Sequence, residues 1–144
     1  MACDYLRTLI PKDKFDFAPF PELMEISEEE VNPILPDLLY WVADMNWPIA
    51  TEMVKVLARF PDSVTPLVEE LLKPTEEDDC WKFSIILDLI PALPTGAREL
   101  LTESIRRILN TPTDGEVDCG VWEVAREYSI RQSKQGEPDG GSLA

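Results

Sequence analysis

The chain is 144 residues long, with 28 acidic and 13 basic side chains, a formal charge of −15 and no histidine. Affinity for nucleic acid or anionic lipid rests on clustered Lys and Arg, so the balance excludes both as partners. Without imidazole there is no His-based triad, no His metal ligand and no side chain whose ordinary pKa lies near neutrality.

A hydrophobic fraction of 44% is enough for one domain to bury its own core without a metal or a disulfide. The acidity is distributed. Residues 1–60 carry 11 acids and 5 bases, 61–110 carry 10 and 5, and 111–144 carry 7 and 3. The plain reading of such a surface is solubility; the sharper one is a match to a basic partner. The three cysteines, Cys3, Cys80 and Cys119, form no CxxC pair. Their odd number predicts free thiols in a reducing compartment, with Cys80 and Cys119 as small core or helix-end residues. The first residues lack the apolar run of a signal peptide, and no uncharged apolar stretch approaches 18 residues. Cytoplasm is the expected location.

In chain order, residues 9–16 (Leu-Ile-Pro-Lys-Asp-Lys-Phe-Asp) form an extended or turn-like strap, since Pro11 disfavours helix at Ile10. A short helix is expected over roughly 21–26. Ser27 and Glu30 make a capping box opening a helix over 28–43, kinked by Pro33 and Pro36. Asp44-Met-Asn-Trp-Pro48 punctuates the chain, with Asn46 as a plausible N-cap and Pro48 in the first turn of a helix over 48–60. Helices over 63–72 and 79–90 flank an acidic loop, Thr75-Glu-Glu-Asp-Asp79. The 79–90 helix is apolar nearly all round except at Lys82, Ser84 and Asp88, as a central helix should be. After a turn at Pro91 to Pro94 comes a helix over 97–109. Thr113 and Glu116 then form a second capping box before a helix over 117–132, and residues 133–144 read as a disordered tail.

Trp47, Trp81 and Trp122 open apolar helical segments 34 and 41 residues apart, a spacing typical of two-helix repeats. The fold class predicted is all-α: about three antiparallel hairpins (28–43 with 48–60, 63–72 with 79–90, 97–109 with 117–132) stacked in a single domain over 1–132. The pattern Pro-Lys-Asp-Lys at 11–14, Ile34-Leu-Pro-Asp-Leu-Leu39, Asp44-Met-Asn-Trp-Pro-Ile-Ala50 and Asp78-Asp-Cys-Trp-Lys82 resembles a family of small helical proteins, a domain of unknown function. The resemblance spans roughly residues 8–130. It implies a HEAT-like right-handed α-α superhelix behind an N-terminal strap, and it carries no catalytic assignment. HEAT-like folds also include DNA glycosylases with basic grooves, which the acidity here argues against.

Aligned corners of stacked hairpins would place Asp44, Asn46, Trp47, Asp79 and Trp81 on one acidic, aromatic edge suited to a cation or an Arg/Lys-bearing peptide. The plainer reading makes Asn46 and Asp79 helix caps and the tryptophans filling between hairpins. Lys12 and Asp13, in the strap, are either ligand contacts or ion-pair seals. Adjacent carboxylates at Glu76/Glu77 and Asp78/Asp79 read as a solvated run. The function expected is a non-catalytic, monomeric module binding a protein, possibly a basic one, with no cofactor and no metal. The alternative is a small-molecule-binding accessory protein or weak carboxylate enzyme with a pocket near Trp47 and Trp81 and Asp44 or Asp79 as acid/base.

Overall fold

Proline punctuation and two capping boxes cut the chain into short helices, which a computed structural model describes for residues 2–74 and 79–136. The expected loop at 75–78 and residues 137–144 lie outside that range. Among the described residues there is no strand. Helix α1 (Ala2–Arg7) is followed by turns, then α2 (Phe20–Leu23) and α3 (Glu28–Val31). A 3-10 turn over Asn32–Ile34 leads into α4 (Leu35–Tyr40). This break is the kink expected of Pro33 and Pro36, each of which removes a backbone donor. Next come α5 (Ala50–Leu57), α6 (Pro61–Leu71) and α7 (Asp79–Ser84). Helix α7 continues as a wide π turn over Ile85–Leu89 and a closing 3-10 turn over Ile90–Ala92. The C-terminal part comprises α8 (Thr95–Leu100), α9 (Thr102–Asn110), α10 (Asp114–Asp118) and α11 (Val121–Gly136).

Both capping boxes form. Ser27 accepts the Glu30 amide while the Glu30 carboxylate reaches back to the Ser27 amide; Thr113 and Glu116 repeat the arrangement. The cap expected at Asn46 does not. Asp44 Oδ1 accepts the Asn46 amide at 2.8 Å, closing an Asx turn, and α5 starts only at Ala50. The corner is held from outside as well, because the Ile49 amide donates to the Lys14 carbonyl of the strap. The strap itself is turned rather than fully extended: Asp16 Oδ2 accepts the Lys12 amide and Asp13 Oδ1 accepts the Phe15 amide. Helix α1, ahead of it, was not anticipated. Helix α11 runs to Gly136, four residues past the helix end expected at 132, so residues 133–136 are helical rather than part of a disordered tail.

Helix α4 packs on α5, α9 on α11, and α10 on α11. Between these units, α4 packs on α6 and α6 on α8, while α5 packs on the π turn and the π turn on α11. The chain thus alternates between two rows, α4–α6–α8 and α5–α7–α11. Helix α6 finds its main neighbours within its own row, so the expected hairpin of 63–72 with 79–90 is looser than the contacts along each row. Leu35, Leu38, Met53, Leu57, Val68, Ile85, Leu89 and Ile108 are fully buried in one continuous core. Each contributes about 1.5–3 kcal/mol by leaving water.

An acidic aromatic groove and a buried ion-pair knot

The kink at Pro33 and Pro36 and the Asx turn at Asp44 aim four aromatic rings at one another. Trp47 lies 5.3 Å from Trp41 and 5.5 Å from Tyr40 between ring centroids, and Tyr40 lies 5.9 Å from Trp81, edge to face. Tyr40 is 47% exposed, while Trp41, Trp47 and Trp81 are half-buried. Beside this cluster opens a groove of about 490 Å³ lined by Tyr40, Asp44, Trp47, Phe83 and Ser84 together with Cys80 and Cys119. The Ser84 hydroxyl donates to the Ala43 carbonyl and pins α7 to the Asp44 corner. Asp44 is the one carboxylate lining the groove among the described residues.

Cys80 and Cys119 are joined by a disulfide, their Cα atoms 5.2 Å apart. This corrects the expectation of two free thiols. Both are helix-end residues as expected, Cys80 in the first turn of α7 and Cys119 closing α10. Helix α10 packs on α7, and that contact brings the two ends together across 39 residues of sequence.

Of the residues picked out from the sequence, Asp44 and Trp47 line the groove and Trp81 joins through Tyr40. Asn46 is exposed at the corner, its amide bound to Asp44. Asp79 does not share the edge. Its carboxylate is 10% exposed, pairs with Lys82 Nζ at 3.1 Å and lies over Gly115, where a Cβ would collide with it. Lys12 and Asp13 line a separate shallow groove with Phe15 and Asp16. Trp122 also stands apart, donating its indole N–H to the Leu109 carbonyl at 3.1 Å.

Asp79 belongs to a polar knot that the sequence reading did not find. Lys82, 2% exposed, donates to Glu116 Oε2 at 2.6 Å and to the Lys73 carbonyl at 2.8 Å. Arg107 grips both Glu116 oxygens at 2.6 Å and donates to the Leu72 carbonyl, so the C-terminal end of α6 is capped by cations from two other helices. Burial pushes the Glu116 carboxyl up, but the bonds from Arg107 and Lys82 outweigh it and hold it down at about 2. A carboxylate so saturated with donors is a structural anion, not an acid or base. Among the described residues no group of three or more Cys, Asp or Glu is placed to hold a metal ion. No helix there is long and apolar enough to cross a membrane.

The chain belongs to the family described as Domain of unknown function (DUF5071), whose model matches residues 9–129. That span takes in the strap, the aromatic groove and the ion-pair knot. No curated protein matches the chain.

Proposed function

We propose that the protein is a non-catalytic, HEAT-like helical-repeat module that captures a basic segment of a protein partner in the Asp44–Trp47 groove. The stacking of alternate helices into two rows supports the repeat reading, since helices of successive hairpins pack in that manner in α-solenoids. The observation that carries the binding reading is the Tyr40–Trp47 pair, half open to solvent and side by side with Asp44 on a chain of charge −15. Aromatic faces next to a carboxylate attract guanidinium and ammonium groups, and the surrounding negative field speeds their arrival. The groove is open along its length, which suits an extended side chain better than an enclosed metabolite. With Asp79 committed to Lys82, the enzymatic alternative keeps Asp44 alone of its two acid/base candidates.

The test is titration of the full chain with an Arg-rich decapeptide, followed by tryptophan fluorescence at low and physiological salt. Saturable, salt-sensitive quenching that Trp47→Ala and Asp44→Asn each weaken about tenfold supports the reading, provided Trp122→Phe leaves it unchanged. Equal binding by the groove variants, or by a Glu-rich peptide, rejects it.

A further inference from the structure

A second depression lies where α8, α9, α11 and the π turn meet, with Phe83 standing between it and the aromatic groove. It consists of two adjoining clefts of about 410 and 360 Å³ that share Arg98, Tyr128 and Gln132. These volumes fall in the range of small-molecule sites. Leu87, which is exposed, supplies the apolar wall of the larger cleft, backed by the buried Val124 and Ile86. Tyr128 is 8% exposed and lines both clefts, yet its phenol oxygen has no hydrogen-bond partner among the described residues. Arg98 donates to the Thr95 hydroxyl at 2.9 Å and makes a long contact to the Pro91 carbonyl. Its Nε is buried without a partner. The Tyr128 hydroxyl is open to water in the cleft, whereas Arg98 Nε is the buried atom there left unmet among the described residues, and buried polar atoms are nearly always bonded.

The part of the chain that carries the cleft is nearly neutral, unlike the rest. Residues 1–94 carry 19 acids against 7 bases, a balance of −12, whereas 95–136 carry 7 against 6, a balance of −1. Two of those bases, Arg98 and Arg131, line the larger cleft, and neither has a carboxylate within ion-pair distance among the described residues. Glu123 and Glu127 stand at the same rim, which balances the two arginines and disfavours a dianion. We propose that this cleft binds a monocarboxylate with a short apolar body, its head held by Arg98 and Tyr128 and its chain laid on Leu87. Arg98 offers free N–H groups, Tyr128 an O–H, and the wall removes the alkyl or aryl part from water.

Hexanoate is the probe, with hexanol, hexylamine and inorganic phosphate as comparisons, added to the full-length protein and followed by ¹H–¹⁵N NMR. Hexanoate should shift the Arg98 side-chain Nε–H and the amides of 86–91 and 124–132 saturably in the millimolar range. Arg98→Gln should weaken it about tenfold and Tyr128→Phe about threefold, the loss expected for one charge-assisted and one neutral bond. Arg131→Gln, at an exposed position, tests the charge requirement without touching the core and should weaken binding severalfold. The proposal is overturned by no saturable shift, by hexanol or phosphate binding as well as hexanoate, or by unchanged affinity in folded Arg98→Gln.

Discussion

Lys82 Nζ sits 2.6 Å from Glu116 Oε2, and the two side chains are 2% and 0% exposed. Helix α7 and helix α10 are therefore fastened through a pair that water does not reach, with Arg107 adding α9 to the same knot. Leaving one buried ion without its counterpart costs about 3–5 kcal/mol. Glu116→Gln and Lys82→Met should each lower stability to urea by about that much. The double variant should lose less than the two singles together, because the shared Lys82–Glu116 bond is then lost once rather than counted twice. Strict additivity would show that the pair is not coupled.

Acid should loosen the same knot. The Glu116 carboxyl titrates at about 2 in the folded protein against an ordinary 4.5. A lowered folded pKa gives stability that is fully present above 4.5 and is lost as pH falls toward 2. Urea midpoints measured between pH 5 and 2.5 should decline in the wild type, and part of that decline should vanish in Glu116→Gln. An equal decline in both would assign the acid sensitivity to other carboxylates.

The Cys80–Cys119 bond makes a countable prediction. Denatured without reductant, the chain should release one reactive thiol of its three cysteines. Reduction should destabilise the fold by about 2–4 kcal/mol, the usual effect of opening a loop of this length. Cys80→Ser should reproduce that loss and gain nothing further from reductant. Three thiols released under oxidising conditions would contradict the bond.

Two glycines should respond in opposite directions to alanine. Gly120 has φ +78°, a conformation that lets α10 turn into α11 and that side chains avoid. Gly120→Ala should cost about 1 kcal/mol or more. Gly96, in the first turn of α8, meets nothing within 4 Å of an added Cβ, so Gly96→Ala should raise stability by about 0.5–1 kcal/mol. Thermal melts of the two variants decide both.

The local grammar of the chain was legible. Ser27/Glu30 and Thr113/Glu116 read as capping boxes because both partners lie within four residues, and Pro33 with Pro36 announced the break between α3 and α4. The all-helical class followed from the same signals. Relationships across long separations were not legible. Lys82 registered only as a polar exception on an apolar helix, and its partner lies 34 residues on. Cys119 is 39 residues from Cys80. Tyr40, the last residue of α4, meets Trp81 across 41 residues of sequence. The separation of Asp79 from Trp81 follows from helix geometry: positions two apart on a helix point about 200° apart. One edge could not hold both.

The wide turn at Ile85–Leu89 bears on how this chain tolerates changes in length. An i→i+5 turn accommodates one residue more than an ordinary helix of the same rise. Deleting the exposed Leu87 would shrink it to a regular turn while Trp81 before it and Ile90 after it kept facing their present neighbours. The same deletion midway along α11 would swing everything beyond it by about 100° and turn its buried side outward. Among the helices of this part of the molecule, the central one should therefore tolerate loss of a single residue better than α11.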